Sequence, residues 1–124
     1  MYYRDLEIWK MAREVVVEIH SMSLKLPKFE QFEEGQQIRR SSKAIKSAIV
    51  EGYGRRAYKN DFIKFLIYAQ ASKDETEDHL DTLFVTHSLT DRPVYDSIQL
   101  KLTALGKKLH AFIQSVTINH RSEK

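Results

Sequence analysis

The sequence predicts an all-α protein, and more narrowly an antiparallel up-down-up-down four-helix bundle. Three observations carry that reading. The 124 residues include only four glycines and two prolines, well below average usage. No Val/Ile/Thr-rich alternating segment stands between turn residues, so strands have no support. Apolar residues instead recur at three- and four-residue spacing through four segments of similar length, joined by short polar links that favour antiparallel neighbours.

The first helix spans roughly residues 6–24, with Asp5 expected as its N-cap and Glu7 near the positive end of the helix dipole. Trp9, Ala12, Val16 and Ile19 form one apolar line, and Ile8, Met11, Val15 and Met22 form a second beside it. Pro27 ends this helix, and KFEQFEEG up to Gly35 reads as a loop or a lead into the next one. The second helix spans roughly 36–53 and closes at Gly54. The third, roughly 60–87, gathers Phe62, Leu66, Ala69, Thr76, Leu80, Leu83 and His87 on one side. Thr90 or Asp91 caps the fourth, roughly 93–118, where Pro93 fits the first turn. Tyr95, Ile98, Leu102, Leu105, Leu109, Phe112 and Val116 give the most regular heptad in the chain. The terminal NHRSEK is expected to fray. With no repeat, low-complexity stretch or second hydrophobic unit, residues 1–124 read as one domain.

Composition narrows the function. The absence of cysteine excludes a disulfide framework, a thiolate metal site and a cysteine nucleophile, and suits a reducing compartment. MYYRDLEIWK lacks the features of a signal peptide, and no run of about 18 apolar residues is present to cross a bilayer, so a cytoplasmic location and no membrane partner are expected. The net charge of +3 is compatible with an anionic partner without demanding one.

The second helix concentrates the charge. At 100° per residue, with Arg39 at zero, Lys43 falls at about 40° and Lys46 at about −20°, while Ile38, Ile45 and Ile49 centre at about −100°. Three cations therefore share a stripe apart from the apolar face. On the far side Ala44, Ala48 and Gly52 form a small-residue seam for close helix approach. Arg40, Glu51 and Arg55 flank the seam, and Glu51 and Arg55 are spaced to pair along the helix. A structural network of Arg40, Glu51 and Arg55 is expected, in which a partly desolvated carboxylate stays ionised beside guanidinium groups. Arg39, Lys43, Lys46, Arg56, Lys59 and Lys64 are the candidates for a phosphate-backbone contact. Their plain alternative is a solvated helix face. Tyr53 and Tyr58 are the aromatics near enough to stack on a base.

Catalysis finds little footing. Asp74, Glu75, Glu77, Asp78 and Asp81 crowd around His79, but no histidine follows a glutamate at the Glu-x-x-His spacing of di-iron bundles. Asp74, Asp78 and Asp81 also point away from the apolar face, as a solvated acidic surface does. No two histidines stand at zinc-helix spacing, EGYGRR lacks the strand and lysine-serine ending of a P-loop, and no serine sits in a nucleophile elbow. No catalytic residue, metal or cofactor is expected, and the chain reads as a non-enzyme.

DLEIW at the start, QIRRSSKAIKSAIVEGYGRR in the second helix, and FIKFLIYAQAS followed by DETE in the third together resemble the S23 ribosomal, or 23S rRNA intervening-sequence, protein family. The resemblance covers nearly the whole chain. It implies a small bacterial four-helix bundle, encoded within insertions in large-subunit rRNA genes or elsewhere, without known catalytic activity. The accessory variability protein of diversity-generating retroelements is a similar bundle, a pentameric barrel that binds nucleic acid and a reverse transcriptase. By that analogy the chain is expected to form a homopentamer. The family's recurrent polar positions fall on Gln37, Arg39, Arg40, Glu51, Arg55, Glu75 and Glu77, with Gly52 and Gly54 in the turn. The resemblance thereby adds Glu75 to the expected network of Arg40, Glu51 and Arg55. The chain departs from the family pattern at Lys43, usually apolar, at Lys46, usually proline, and at Ala48, usually asparagine. Losing the proline removes the cause of a kink in the second helix, and the two lysines make its stripe more cationic.

Two functions follow as expectations. One is an oligomeric bundle binding RNA or DNA non-specifically through the second helix, with or without a protein partner. The other is a protein scaffold whose apolar lines, Ile8, Met11 and Val15 with Ile63 and Ile67, stay exposed for self-association or a partner helix.

Overall fold

The structure, a computed structural model, describes residues 2–119. Met1 and residues 120–124 lie outside it, and with them most of the NHRSEK tail. A short 3₁₀ turn, Tyr3–Asp5, precedes α1 (Glu7–Ser23), and a second, Lys28–Phe32, precedes α2 (Glu34–Gly54). Then come α3 (Lys59–Val85) and α4 (Arg92–Asn119). Each helix packs on its neighbours in the chain, and α4 closes on α1, so the four stand at the corners of a square. α2 runs uninterrupted, as expected once the proline is lost.

The termini depart from expectation for local reasons. Asp5 does not cap α1: its carboxylate accepts from the Tyr2 N–H at 3.1 Å inside the 3₁₀ turn, and Leu6 takes the N-cap position with no side-chain bond. α2 starts two residues earlier than expected because Glu30 reaches back to it. The Glu30 carboxylate accepts from the Glu34 N–H at 3.1 Å and from the Ser88 hydroxyl at 2.6 Å. Glu30 is 6% exposed, so a buried acid from the linker satisfies an orphan donor of α2. α3 ends at Val85, short of His87, because His87 turns left-handed at φ 66° and is exposed rather than on the buried face. The Leu89 N–H then bonds the Leu83 carbonyl at 2.9 Å, as helix-ending reversals do. At α4 the expectation holds, since Asp91 Oδ1 accepts from the Val94 N–H at 3.2 Å.

Ile19, Ile38, Ile45, Ile49, Leu66, Leu80, Leu83, Ile98, Leu102, Leu105 and Leu109 fill the centre. Both apolar lines of α1 contribute. Ile8 is 4% exposed and Val15 1%, because α1 is covered by α2 on one side and α4 on the other. The expected exposed lines therefore do not exist: Met11 and Ile63 are half-buried and only Ile67 stays open. One polar link crosses this core, where the buried Ser41 and Thr76 hydroxyls bond each other at 2.8 Å. The α2–α3 contact is close because Gly52 has no side chain; a Cβ there would stand 3.1 Å from Phe65 Cβ.

Candidate nucleic-acid interface

α2 is flanked by α1 and α3, so only the direction opposite its isoleucines faces out. That direction carries Gln36, Arg40, Lys43, Ser47 and Glu51, all exposed. Of the predicted stripe, Lys43 faces out, while Arg39 and Lys46 sit at the border with α1 and are engaged there. Arg39 donates from Nη1 to the buried Ser23 hydroxyl at 3.1 Å and from Nη2 to the Gln31 carbonyl at 2.7 Å. It ties α2 to the end of α1 and to the linker, and is a structural clamp rather than an outward contact. Lys46 is half-buried and lies over the Trp9 ring, 5.9 Å from its centroid.

Lys43 is exposed, as expected for a contact residue, and so are Lys59 at the start of α3 and Lys64 one turn on. The Lys64 ammonium stands 5.9 Å from both the Phe65 and Tyr68 rings. Arg56 folds back instead, donating to the Tyr53 carbonyl at 3.0 Å with its guanidinium 4.2 Å from the Tyr53 ring centroid. Tyr53 is buried edge-on against Phe62, so of the two expected stacking residues only Tyr58 is open to solvent.

The expected structural network is reduced to one pair extended by a neighbour. Arg55 reaches Glu51 at 3.4 Å and Asp61 at 3.7 Å, with all three side chains about half-exposed. Arg40 and Glu75 are exposed, and among the described residues neither bonds Glu51 or Arg55. The seam does form: Ala44, Ser47 and Ala48 floor a groove of about 570 Å³, walled by Phe65 and Tyr68 of α3.

Asp74, Glu75, Asp78 and Asp81 form a solvated acidic face on α3. His79 turns away from them and places Nδ1 2.8 Å from Glu34 Oε2 on α2. No group of three metal-ligating side chains stands together among the described residues. Lys73 lies against α4 beside Gly106 and is held by Glu77 and Asp74. Burial opposes its charge, but the bonds to Glu77 and Asp74 outweigh burial and hold its pKa above the ordinary lysine value.

Sequence reasoning missed the surroundings of Trp9, which it read only as core. Arg4, Arg13 and Lys46 all gather on that ring. The Trp9/Arg13 spacing of four on one helix face was the available signal.

The fold and this surface define a small four-helix bundle with exposed cations on α2 and α3. The chain matches the family described as 23S rRNA-intervening sequence protein over residues 4–111, and it belongs to that family. Its backbone is similar to a crystal structure of a protein of unknown function from the S23 ribosomal protein family of Bacteroides thetaiotaomicron VPI-5482. The two are 29% identical with a TM-score of 0.78, over 86% of this chain and 95% of that one. No curated protein matches the chain. Among the described residues, no helix is long and apolar enough to cross a membrane.

Proposed function

We propose that this chain is a non-enzymatic, self-associating cytoplasmic bundle that binds RNA or DNA without sequence selectivity through its exposed α2–α3 cations. The observation that carries the reading is the set Arg40, Lys43, Lys59 and Lys64, all exposed and without ion-pair partners among the described residues. Such groups neutralise phosphates and release counterions whatever the bases. The family's name associates its members with 23S rRNA, and RNA is an anionic polymer suited to this surface. A charge of +3 is modest for one copy, but copies around an axis repeat each cation and sum their field. A homopentamer, by analogy with the similar retroelement bundle, is the expected assembly.

The α2–α3 groove favours a second reading, a protein scaffold. Its small-residue floor admits a helix, and Tyr68 on its wall is 48% exposed. Binding of structured RNA and duplex DNA across a salt series, with mass from light scattering in the same buffers, separates the two. Steep salt dependence that Lys43→Glu/Lys64→Glu flattens supports nucleic-acid binding. An oligomer that ignores both polymers supports the scaffold.

A further inference from the structure

Three of the chain's cations gather at the start of α1, outside the face just described. Arg4 from the 3₁₀ turn, Arg13 from α1 and Lys46 from α2 stand 6.0, 5.7 and 5.9 Å from the centroid of the Trp9 ring. Arg4 also lies 5.6 Å from the Tyr2 ring and 5.7 Å from the Tyr3 ring. None of the three cations pairs with a carboxylate among the described residues. Aromatic faces offset part of their mutual repulsion, and an anion seated among them would remove the rest.

Two further observations distinguish the cluster from a solvated patch. Trp9 is only 8% exposed, so the cations rest on a fixed ring rather than a mobile one. The Tyr3 hydroxyl is drawn into the same cluster, accepting from Arg4 Nε at 3.3 Å. The neighbouring Tyr2 hydroxyl, the Arg4 bond and the charges of Arg4 and Lys46 bring the Tyr3 pKa below its ordinary range. Beside these groups the Tyr2 ring is 50% exposed and 4.6 Å from the Tyr3 ring. Guanidinium forks and an ammonium suit phosphate oxygens, and an open phenol ring suits the face of an unpaired base.

We infer that Arg4, Arg13 and Lys46, gathered on Trp9 with Tyr2 and Tyr3, seat a backbone phosphate and its adjoining base from a single-stranded nucleic acid. The inference rests on the nucleic-acid reading of the chain but places the closest contact at the start of α1. The strand is single because Tyr2 stacks only on a base free of its partner.

Trp9 is the single tryptophan beside six tyrosines, so emission excited at the red edge of the band, where tyrosine does not absorb, reports on this cluster alone. The chain is titrated at low salt with a short single-stranded oligonucleotide, the duplex of the same sequence, and inorganic phosphate. Anisotropy of labelled strands measures binding independently of Trp9. The single strand is expected to bind best and to change the Trp9 emission saturably. Arg4→Glu/Arg13→Glu should weaken that binding about tenfold or more, abolish the emission change, and lower the salt slope by about 0.7 for the one phosphate no longer neutralised. Lys43→Glu/Lys64→Glu should keep the emission change. Arg4 and Arg13 are both exposed, and Arg4→Gln/Arg13→Gln repeats the test without charge reversal if the first variant melts early. Anisotropy-detected binding that leaves Trp9 silent and ignores both Arg4/Arg13 variants overturns the site while the broader reading stands. No binding of any strand overturns both. Inorganic phosphate bound as tightly as the strand, or a preference for duplex, overturns the single-strand assignment.

Discussion

Arg39 donates to the Ser23 hydroxyl at 3.1 Å, and Ser23 in turn donates to the His20 carbonyl at 2.9 Å, so a cation of α2 closes the last turn of α1. Its second bond, to the Gln31 carbonyl, fixes the linker between the two helices. Arg39→Ala should cost about 2 kcal/mol, since bonds to a charged donor exceed neutral ones and the Gln31 carbonyl loses its partner. Urea melts check the stability loss. Nucleic-acid affinity, measured where the variant is still folded, should fall less for Arg39→Ala than for Lys43→Glu/Lys64→Glu.

Glu30 couples the α1–α2 linker to the α3–α4 linker, accepting from the Glu34 N–H at the start of α2 and from the Ser88 hydroxyl beyond α3. Glu30→Ala strands a helix N–H and a hydroxyl at a site that is 6% exposed, for an expected loss of about 2 kcal/mol. Glu30→Gln keeps one carbonyl acceptor and should lose less than half as much in the same melts.

Gly35 sits where the linker crosses the first turn of α2. A Cβ at that position would come 2.7 Å from the Glu30 backbone carbonyl and 3.2 Å from Arg39 Nη1, and the nearer of these cannot swing aside. Gly35→Ala should therefore destabilise the chain by about 1–3 kcal/mol despite the higher helix propensity of alanine. A midpoint shift in the opposite direction would mean that the linker gives way.

The buried faces of α3 and α4 were legible because each presents a single repeating apolar line: Phe62 to Leu83 and Ile98 to Val116 follow the spacing read from the sequence and are buried, with Phe112 half-buried among them. α1 carries two such lines, and a pattern along one helix does not say that two neighbours will cover both. The same limit displaced the cationic face. Arg39 and Arg40 differ by one residue, about 100° of helix rotation, and which of them faces out depends on where α1 docks. Glu30 was illegible for a different reason: an acid in a polar linker looks solvated until Ser88, fifty-eight residues away, is brought beside it. The Trp9 cluster draws on three elements, and only the Trp9/Arg13 pair lay within one helical pattern.

Lys73 provides a test that separates its charge from its packing. Its side chain is 15% exposed, with its stem against Gly106 and its ammonium bonded to Glu77 and Asp74. Burial pulls its pKa down, but the two carboxylates pull harder, and the folded value stands above the ordinary 10.5. A lysine raised on folding contributes stability that is whole below its unfolded pKa and is lost as pH climbs through the folded one. Lys73→Met keeps the stem and removes the charge. It should cost about 1 kcal/mol at neutral pH, and the gap from wild type should stay flat up to about pH 10 and close above the ordinary lysine pKa. Thermal melts of both chains from pH 7 into the alkaline range check this, and a gap that persists at alkaline pH would assign the loss to packing against α4 instead.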